Sequence, residues 1–172
     1  LGEMHQFFEF LDDDKNCSCG KSLKSCNEWK EAVSSFKSNV NSKRKFVNQE
    51  EKHSKIPGLL AGKTADRKYL TIQEEVFSSI HEHRPSKWYV DSSKYIARFL
   101  LLKKSKKLNT KGIYVVRDPR GVVYSFQKKV QTPKRPISAL LYYYIINLFG
   151  EIVYRMDDNI LKIRYEDLVD KP

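Results

Sequence analysis

Apolar residues fall at helical spacing from the first residues, where Met4, Phe7, Phe8 and Leu11 make one stripe of a helix over Leu1–Leu11. The run Asp12-Asp13-Asp14-Lys15-Asn16 ends it, and a loop with Cys17, Cys19 and Cys26 follows. Trp29, Val33 and Phe36 predict a short helix over Asn27–Phe36. Residues 37–57 are mostly Lys, Ser and Asn, with few apolar positions beyond Phe46, Val47 and Ile56, which fits a polar helix or a mobile excursion. From Lys87 the pattern sharpens. Trp88-Tyr89-Val90 reads as a short strand, Asp91-Ser92-Ser93 as a cap, and Ile96, Phe99 and Leu100 as one helical face reaching about Lys104. After a turn at Asn109–Gly112, the run Ile113-Tyr114-Val115-Val116 predicts a strand buried on both faces. Asp118 and Pro119 match a helix start, with Asp as N-cap and Pro at the first helical position. Ile137, Leu140, Leu141, Tyr144, Ile145, Leu148, Phe149 and Ile152 predict a long helix whose apolar stripe faces a core. Ile160–Tyr165 is a further strand, and Glu166-Asp167-Leu168-Val169 opens another helix.

Strands alternating with helices imply parallel βαβ units with right-handed crossovers, so the fold class is α/β. A length of 172 residues with 40% hydrophobic and 31% charged residues fits one domain able to bury a core, and excludes a disordered or fibrous chain. Residues 1–172 are read as a single, incomplete domain, with 37–86 a variable insertion on the acceptor side or a mobile one. The longest uncharged stretch, Pro136–Gly150, has 15 residues. That is short of the roughly 20 a membrane-spanning helix needs, so no span is expected. The absence of an initiator Met and of a leader, with the abrupt end at Pro172, reads as a fragment of a longer polypeptide.

The net charge is +11, and it is localised: Leu100–Leu140 holds eleven Lys and Arg against one acid, Asp118. That concentration suggests an anionic ligand or surface, while Lys103, Lys104, Lys106, Lys107, Lys128 and Lys129 read equally as solvated helix ends. Cys17, Cys19 and Cys26 are an odd, clustered set, which does not make a disulfide framework. Three zinc ligands completed from elsewhere, buried thiols, or one local disulfide all fit the spacing, although structural zinc sites usually draw on two paired half-sites.

In open parallel sheets, ligands bind beyond the carboxyl ends of the strands. The turn there is Arg117-Asp118-Pro119-Arg120-Gly121, which sets a guanidinium beside the free N–H groups of a helix start, an arrangement suited to phosphate or sulfate. Ser125, eight residues after Arg117, can bring its hydroxyl to the same anion. Pairing of Arg117 with Asp118 and a packing role for Ser125 remain open at this point.

Arg117-Asp118-Pro119-Arg120-Gly121-Val122-Val123-Tyr124-Ser125-Phe126, preceded by an apolar strand, resembles the 3′-phosphate-binding segment of sulfotransferases that use 3′-phosphoadenosine 5′-phosphosulfate (PAPS). Asp91-Ser92-Ser93-Lys94, Ile163–Val169, Gly2-Glu3, Cys17-x-Cys19-Gly20 and Cys26-x-x-Trp29 fit the same family, closest to its bacterial and tyrosylprotein branch. The resemblance spans nearly the whole chain. It implies a three-layer, P-loop-NTPase-like parallel sheet flanked by helices. It also implies transfer of a sulfuryl group from PAPS to a hydroxyl or amine acceptor, with no metal required. By this resemblance Arg117 and Ser125 bind the 3′-phosphate, with Arg120 an accessory, and Glu3 is the catalytic base, with His5 a weaker candidate. Lys94, or Arg98 one turn on, stabilises charge on the transferred group and the leaving phosphate oxygen.

The family's 5′-phosphosulfate loop is not found in the sequence and is expected upstream of Leu1, so the isolated chain is expected to be inactive. Gly58-Leu59-Leu60-Ala61-Gly62-Lys63-Thr64 has one residue too few between its glycines for a Walker loop. The expected partners are the donor nucleotide and an unidentified acceptor, without specific nucleic acid. The compartment is a bacterial-type cytoplasm or a Golgi lumen, and the oligomeric state is open. A basic nucleic-acid-binding module and a nucleotide-kinase-like P-loop enzyme are the alternatives.

Overall fold

The structure, a computed structural model, describes residues 2–36, 38–127 and 135–170, which fall into two compact units, Leu1–Thr110 and Lys111–Pro172. Lys128 and Lys129 of the basic stretch lie outside the described residues.

The first unit is helical. A 3₁₀ turn at Met4–Gln6 leads into α1 (Phe7–Asp12), then come α2 (Val40–Glu50), α3 (Ile56–Leu60), α4 (Arg67–His83) and α5 (Ile96–Leu102). Helix α1 packs on α2, α3 on α5, and α4 on both α2 and α5. Asp66 caps α4 by accepting from the Lys68 N–H at 2.7 Å. The apolar positions of α4 then recur at helical spacing, burying Tyr69, Ile72, Val76 and Ile80. Residues 37–86 thus contain three α-helices among the described residues and contribute Val47, Ile56, Tyr69, Ile72 and Val76 to the core. Phe7 meets Phe8, Trp29 and Phe36 at ring distances of 5.1, 6.3 and 5.5 Å, which pins the chain after the cysteines onto α1. The helix predicted over Asn27–Phe36 is instead a chain of turns, because three-residue closures such as Ser34 N–H to Glu31 O alternate with four-residue ones.

At the centre of this unit lies a charge. Arg98 is only 2% exposed, and its Nη1 donates to Glu51 at 2.7 Å and to Gln73 at 2.9 Å while its Nε donates to Asp91 at 2.9 Å. The Tyr69 hydroxyl donates to the same Glu51 oxygen at 2.7 Å, and burial with this carboxylate beside it pushes the phenol pKa far up. Burial works to raise the Asp91 carboxyl, but Arg98 and the hydrogen bonds from Ser93 and Met4 outweigh it and hold it below its ordinary range.

The second unit holds β1 (Gly112–Val116), α6 (Pro119–Gln127), α7 (Pro136–Met156), β2 (Ile160–Arg164) and α8 (Tyr165–Asp170). The strands are parallel, with Gly112 opposite Ile160 and Val116 opposite Arg164. Helix α7 covers one sheet face. The Tyr114 hydroxyl donates to Asn147 at 2.9 Å, and a Cβ at Gly150 would meet the Tyr114 ring at 2.9 Å, so only glycine permits this approach. Ile113 and Val115 on the opposite face are exposed, correcting the expectation of burial on both faces: among the described residues no second layer covers them.

The α7 stripe is corrected too. Ile137, Leu141, Tyr144, Ile145 and Leu148 are exposed, while small Ala139 and Gly150, with Val153, form the buried line. Close packing selects small residues here and turns the larger ones out. By length and composition alone α7 could cross a membrane, a test that core helices of soluble proteins also pass, although only 11% of its most apolar window is buried.

The architecture is therefore mixed α/β, mostly helical, with a two-stranded parallel sheet among the described residues. Trp88-Tyr89-Val90 is not a strand. The Tyr89 hydroxyl turns back to donate to Arg84 O at 2.7 Å and to accept from the Ser86 N–H at 2.9 Å; Trp88 and Val90 are exposed, and among the described residues no strand pairs with this segment.

Glu51→Ala strands a buried guanidinium and is expected to destabilise the protein by about 3–5 kcal/mol in urea unfolding. A loss under ~1 kcal/mol, the scale of an exposed pair, would show that this network is not buried in solution.

Candidate functional site

Two clusters contain the residues singled out from the sequence, one in each unit. In the second unit, β1 delivers Arg117 to the start of α6. The Arg117 carbonyl accepts from the Tyr143 hydroxyl at 2.8 Å, which fixes the backbone against α7. Its guanidinium stands 4.5 Å from the centre of the Tyr165 ring. It also lies against the first turn of α6: a Cβ at Gly121 would sit 3.2 Å from Arg117 Nε. Gly121 therefore leaves the space that Arg117 fills. Among the described residues no carboxylate lies within ion-pair distance of Arg117. Ser125 is exposed one helical turn beyond Gly121, on the face along which Arg117 lies.

The N–H groups of this helix start are already used. Asp118 caps α6 by accepting from the Arg120 N–H at 2.8 Å, while its own N–H donates to Glu166 at 2.9 Å. Arg120 is bound to the Asp118 carboxylate at 2.8 Å, and this pairing holds the Asp118 carboxyl down at about 2. The Glu166 carboxyl is likewise held low, first by the Asp118 N–H. The free helix N–H groups expected from sequence are thus capped by carboxylates, and an anion arriving here would meet Arg117 rather than bare backbone. An open cleft of about 210 Å³ is lined by Val116, Arg117, Asp118, Tyr143, Arg164 and Glu166.

In the first unit the structure joins two motifs that lie far apart in sequence. Ser92 N–H and Oγ donate to Gly2 O at 2.8 and 2.7 Å, and the Met4 N–H donates to Asp91 at 3.0 Å. This brace sets Lys94 Nζ 3.2 Å from Glu3 Oε1. Gln6 donates to the other Glu3 oxygen at 3.3 Å. His5 contacts Ser93 Oγ through Nδ1 at 3.2 Å, and its ring lies 4.6 Å from that of Tyr95. Arg98, the alternative to Lys94, is corrected: it is buried among Glu51, Gln73 and Asp91 and cannot reach a substrate. Gly58–Thr64 lies at the end of α3 and in the turn after it, with no strand leading into it.

Sequence reasoning missed Tyr143, and Gly121 as the gap for Arg117. A glycine inside a helical pattern was the available signal. Tyr165 and Glu166 stood within a quoted motif without a role. The three cysteine sulfurs, lying within 4.8 Å of one another, are the group of metal-ligand type found among the described residues.

Burial pushes the His5 pKa below 6.5, with Glu3, Glu51 and Asp91 opposing that and Arg98 adding to it. Neutral His5 therefore favours the folded state above about pH 6.5, a contribution lost as pH falls through the folded value. In an NMR titration His5 is expected to titrate below 6.5, and still lower in Glu3→Gln; a midpoint above 6.5 contradicts this.

No protein-family model matches the chain, and neither does any curated protein or any solved structure.

Proposed function

We propose that this chain is part of a PAPS-dependent sulfotransferase, with the second unit belonging to a three-layer, P-loop-NTPase-like sheet. The observation that carries the reading is the setting of Arg117. Its guanidinium is laid over Gly121 and lines an open cleft, without a carboxylate partner among the described residues and on the helix face that also bears Ser125. A fork-shaped cation and a hydroxyl on one face suit a phosphate monoester. In this reading they hold the ribose 3′-phosphate of the donor. Arg120, tied to Asp118, contributes general positive charge.

The Glu3–Lys94 pair supports the second half of the reaction. The acceptor oxygen or nitrogen attacks sulfur in line, and the bond from sulfur to the bridging phosphate oxygen breaks. The electron pair leaves with adenosine 3′,5′-bisphosphate, and the Glu3 carboxylate takes the acceptor proton. Lys94 offsets the negative charge growing on the leaving oxygen and the sulfuryl group. The acceptor is a hydroxyl or an amine.

On the full-length protein, calorimetry is expected to show adenosine 3′,5′-bisphosphate binding. Arg117→Ala should weaken it about tenfold or more, the scale of a charged hydrogen bond. Gly121→Val, which pushes the guanidinium aside without removing it, should do the same, while Arg120→Ala costs less. Adenosine 5′-monophosphate, lacking the 3′-phosphate, should bind the Arg117 variant and the parent alike. Equal losses for both nucleotides would refute the assignment. Glu3→Gln is expected to lower kcat about 10²- to 10⁴-fold with the donor KM unchanged; a KM effect alone would remove Glu3 as the base.

A further inference from the structure

The segment between α1 and α2 holds a cluster that the sulfotransferase reading leaves without a role. Residues 13–36 form turns and one isolated antiparallel bridge, Asn16 to Ser22, with neither helix nor strand. Connections of more than roughly 12–15 residues without regular structure are uncommon inside a compact unit. Yet Leu23 is 1% exposed and Cys26 1%. Something beyond local backbone preference organises this segment.

Its geometry converges on sulfur. The Cys17 N–H donates to Lys21 O at 2.8 Å and the Gly20 N–H to Cys17 O at 2.9 Å, closing a hairpin turn around Gly20. Gly20 adopts φ +84°, a left-handed conformation that other residues rarely take. This tight return brings Cys17 and Cys19 together. The Cys26 N–H then bonds Ser22 O at 2.8 Å, carrying the third thiol to the same place. All three Sγ atoms lie within 4.8 Å of one another. Cys19 and Cys26 are 3.4 Å apart, far beyond a disulfide bond of about 2.05 Å, and all three residues are thiols. A tetrahedral ion bonded to sulfur at about 2.3 Å wants sulfurs separated by roughly 3.8 Å, which this spacing meets with small shifts.

Thiolate is the form of cysteine that ligates a metal, and each thiol gives up its proton on binding. Cys17 and Cys26 are buried and Cys19 is exposed, so the cluster opens to solvent on the Cys19 side.

We propose that Cys17, Cys19 and Cys26 bind one zinc ion through three thiolates, with an exchangeable fourth ligand on the exposed side, and that this ion staples the irregular segment onto α1. Each zinc–sulfur bond replaces an S–H bond, and the proton goes to solvent. Zinc suits soft sulfur donors and needs no redox partner. The role is structural and independent of the transfer chemistry.

The test uses the purified reduced chain with one equivalent of Zn²⁺, measured by elemental analysis, and Co²⁺ as a spectroscopic stand-in. The expected results are one zinc per chain, a thiolate-to-cobalt charge-transfer band with the strong visible bands of tetrahedral cobalt, and a lower melting temperature on chelation. Cys19→Ser alters an exposed side chain and should keep its helical circular dichroism. It should bind zinc more weakly by more than the roughly 10- to 100-fold that loss of an outer partner costs. Parent-like zinc binding by Cys19→Ser would overturn the proposal. So would a parent chain without the cobalt bands whose three thiols all react freely, or an intact mass two hydrogens lower that persists with zinc and reductant present, which would mark a Cys19–Cys26 disulfide.

Discussion

The first unit depends on the burial of one guanidinium. A charge in a protein interior is costly unless charged or polar partners meet it, and Arg98 is met at Nε and Nη1 while its buried Nη2 has no hydrogen-bond partner among the described residues. Arg98 on α5 therefore dictates the placement of Glu51 after α2, Gln73 on α4 and Asp91 ahead of α5. The three partners come from parts of the chain that have no local reason to meet. Around them the apolar residues Phe7, Val47, Ile56, Tyr69 and Leu101 supply most of the driving force, while the charge network ties α4 and α5 to the residues that follow α2 and precede α5.

That constraint reaches the candidate chemistry through Asp91. One carboxylate oxygen receives Arg98, and the other receives the N–H groups of Met4 and Ser93. The aspartate thus ties the buried charge to the segment bearing Glu3 and to the turn bearing Lys94. The Glu3–Lys94 pair is partly exposed, and half-buried Asp91 links it to the buried Arg98. Arg117 in the second unit is positioned by different means: a tyrosine holding its carbonyl, an aromatic ring beside its guanidinium, and the missing side chain of Gly121. In both clusters a polar group is oriented by packing behind it, which is how a binding site gains rigidity from its scaffold.

Much of this was legible in the sequence where signals are local. The strands at Ile113–Val116 and Ile160–Tyr165, the latter ending at Arg164 in the structure, the Asp118 cap and the long helix after Pro136 follow from patterns read over a few residues. What failed was non-local. The α7 stripe satisfied helical periodicity, but whether a stripe is buried depends on what lies opposite, and Ala139 and Gly150 gave the closer approach. Trp88-Tyr89-Val90 had strand propensity but, among the described residues, no strand to pair with, and the Tyr89 hydroxyl found partners in its own turn. Arg98 shared a helical face with Lys94 in the sequence, and nothing there reveals that Glu51 and Gln73 draw it inward. The meeting of Gly2-Glu3 with Asp91-Ser92-Ser93-Lys94 was invisible for the same reason, since separation along the chain says nothing about contact.

The contact of Tyr114 with Gly150 makes the two sides of α7 unequal under mutation. On the side toward the sheet, a single added methyl at position 150 must displace an aromatic ring, so genetic drift there is confined to glycine. On the outer side, Ile137, Leu141 and Leu148 touch solvent and can exchange for polar residues with little effect on the unit's own packing. Divergent copies of this chain should therefore keep a narrow invariant seam along the helix.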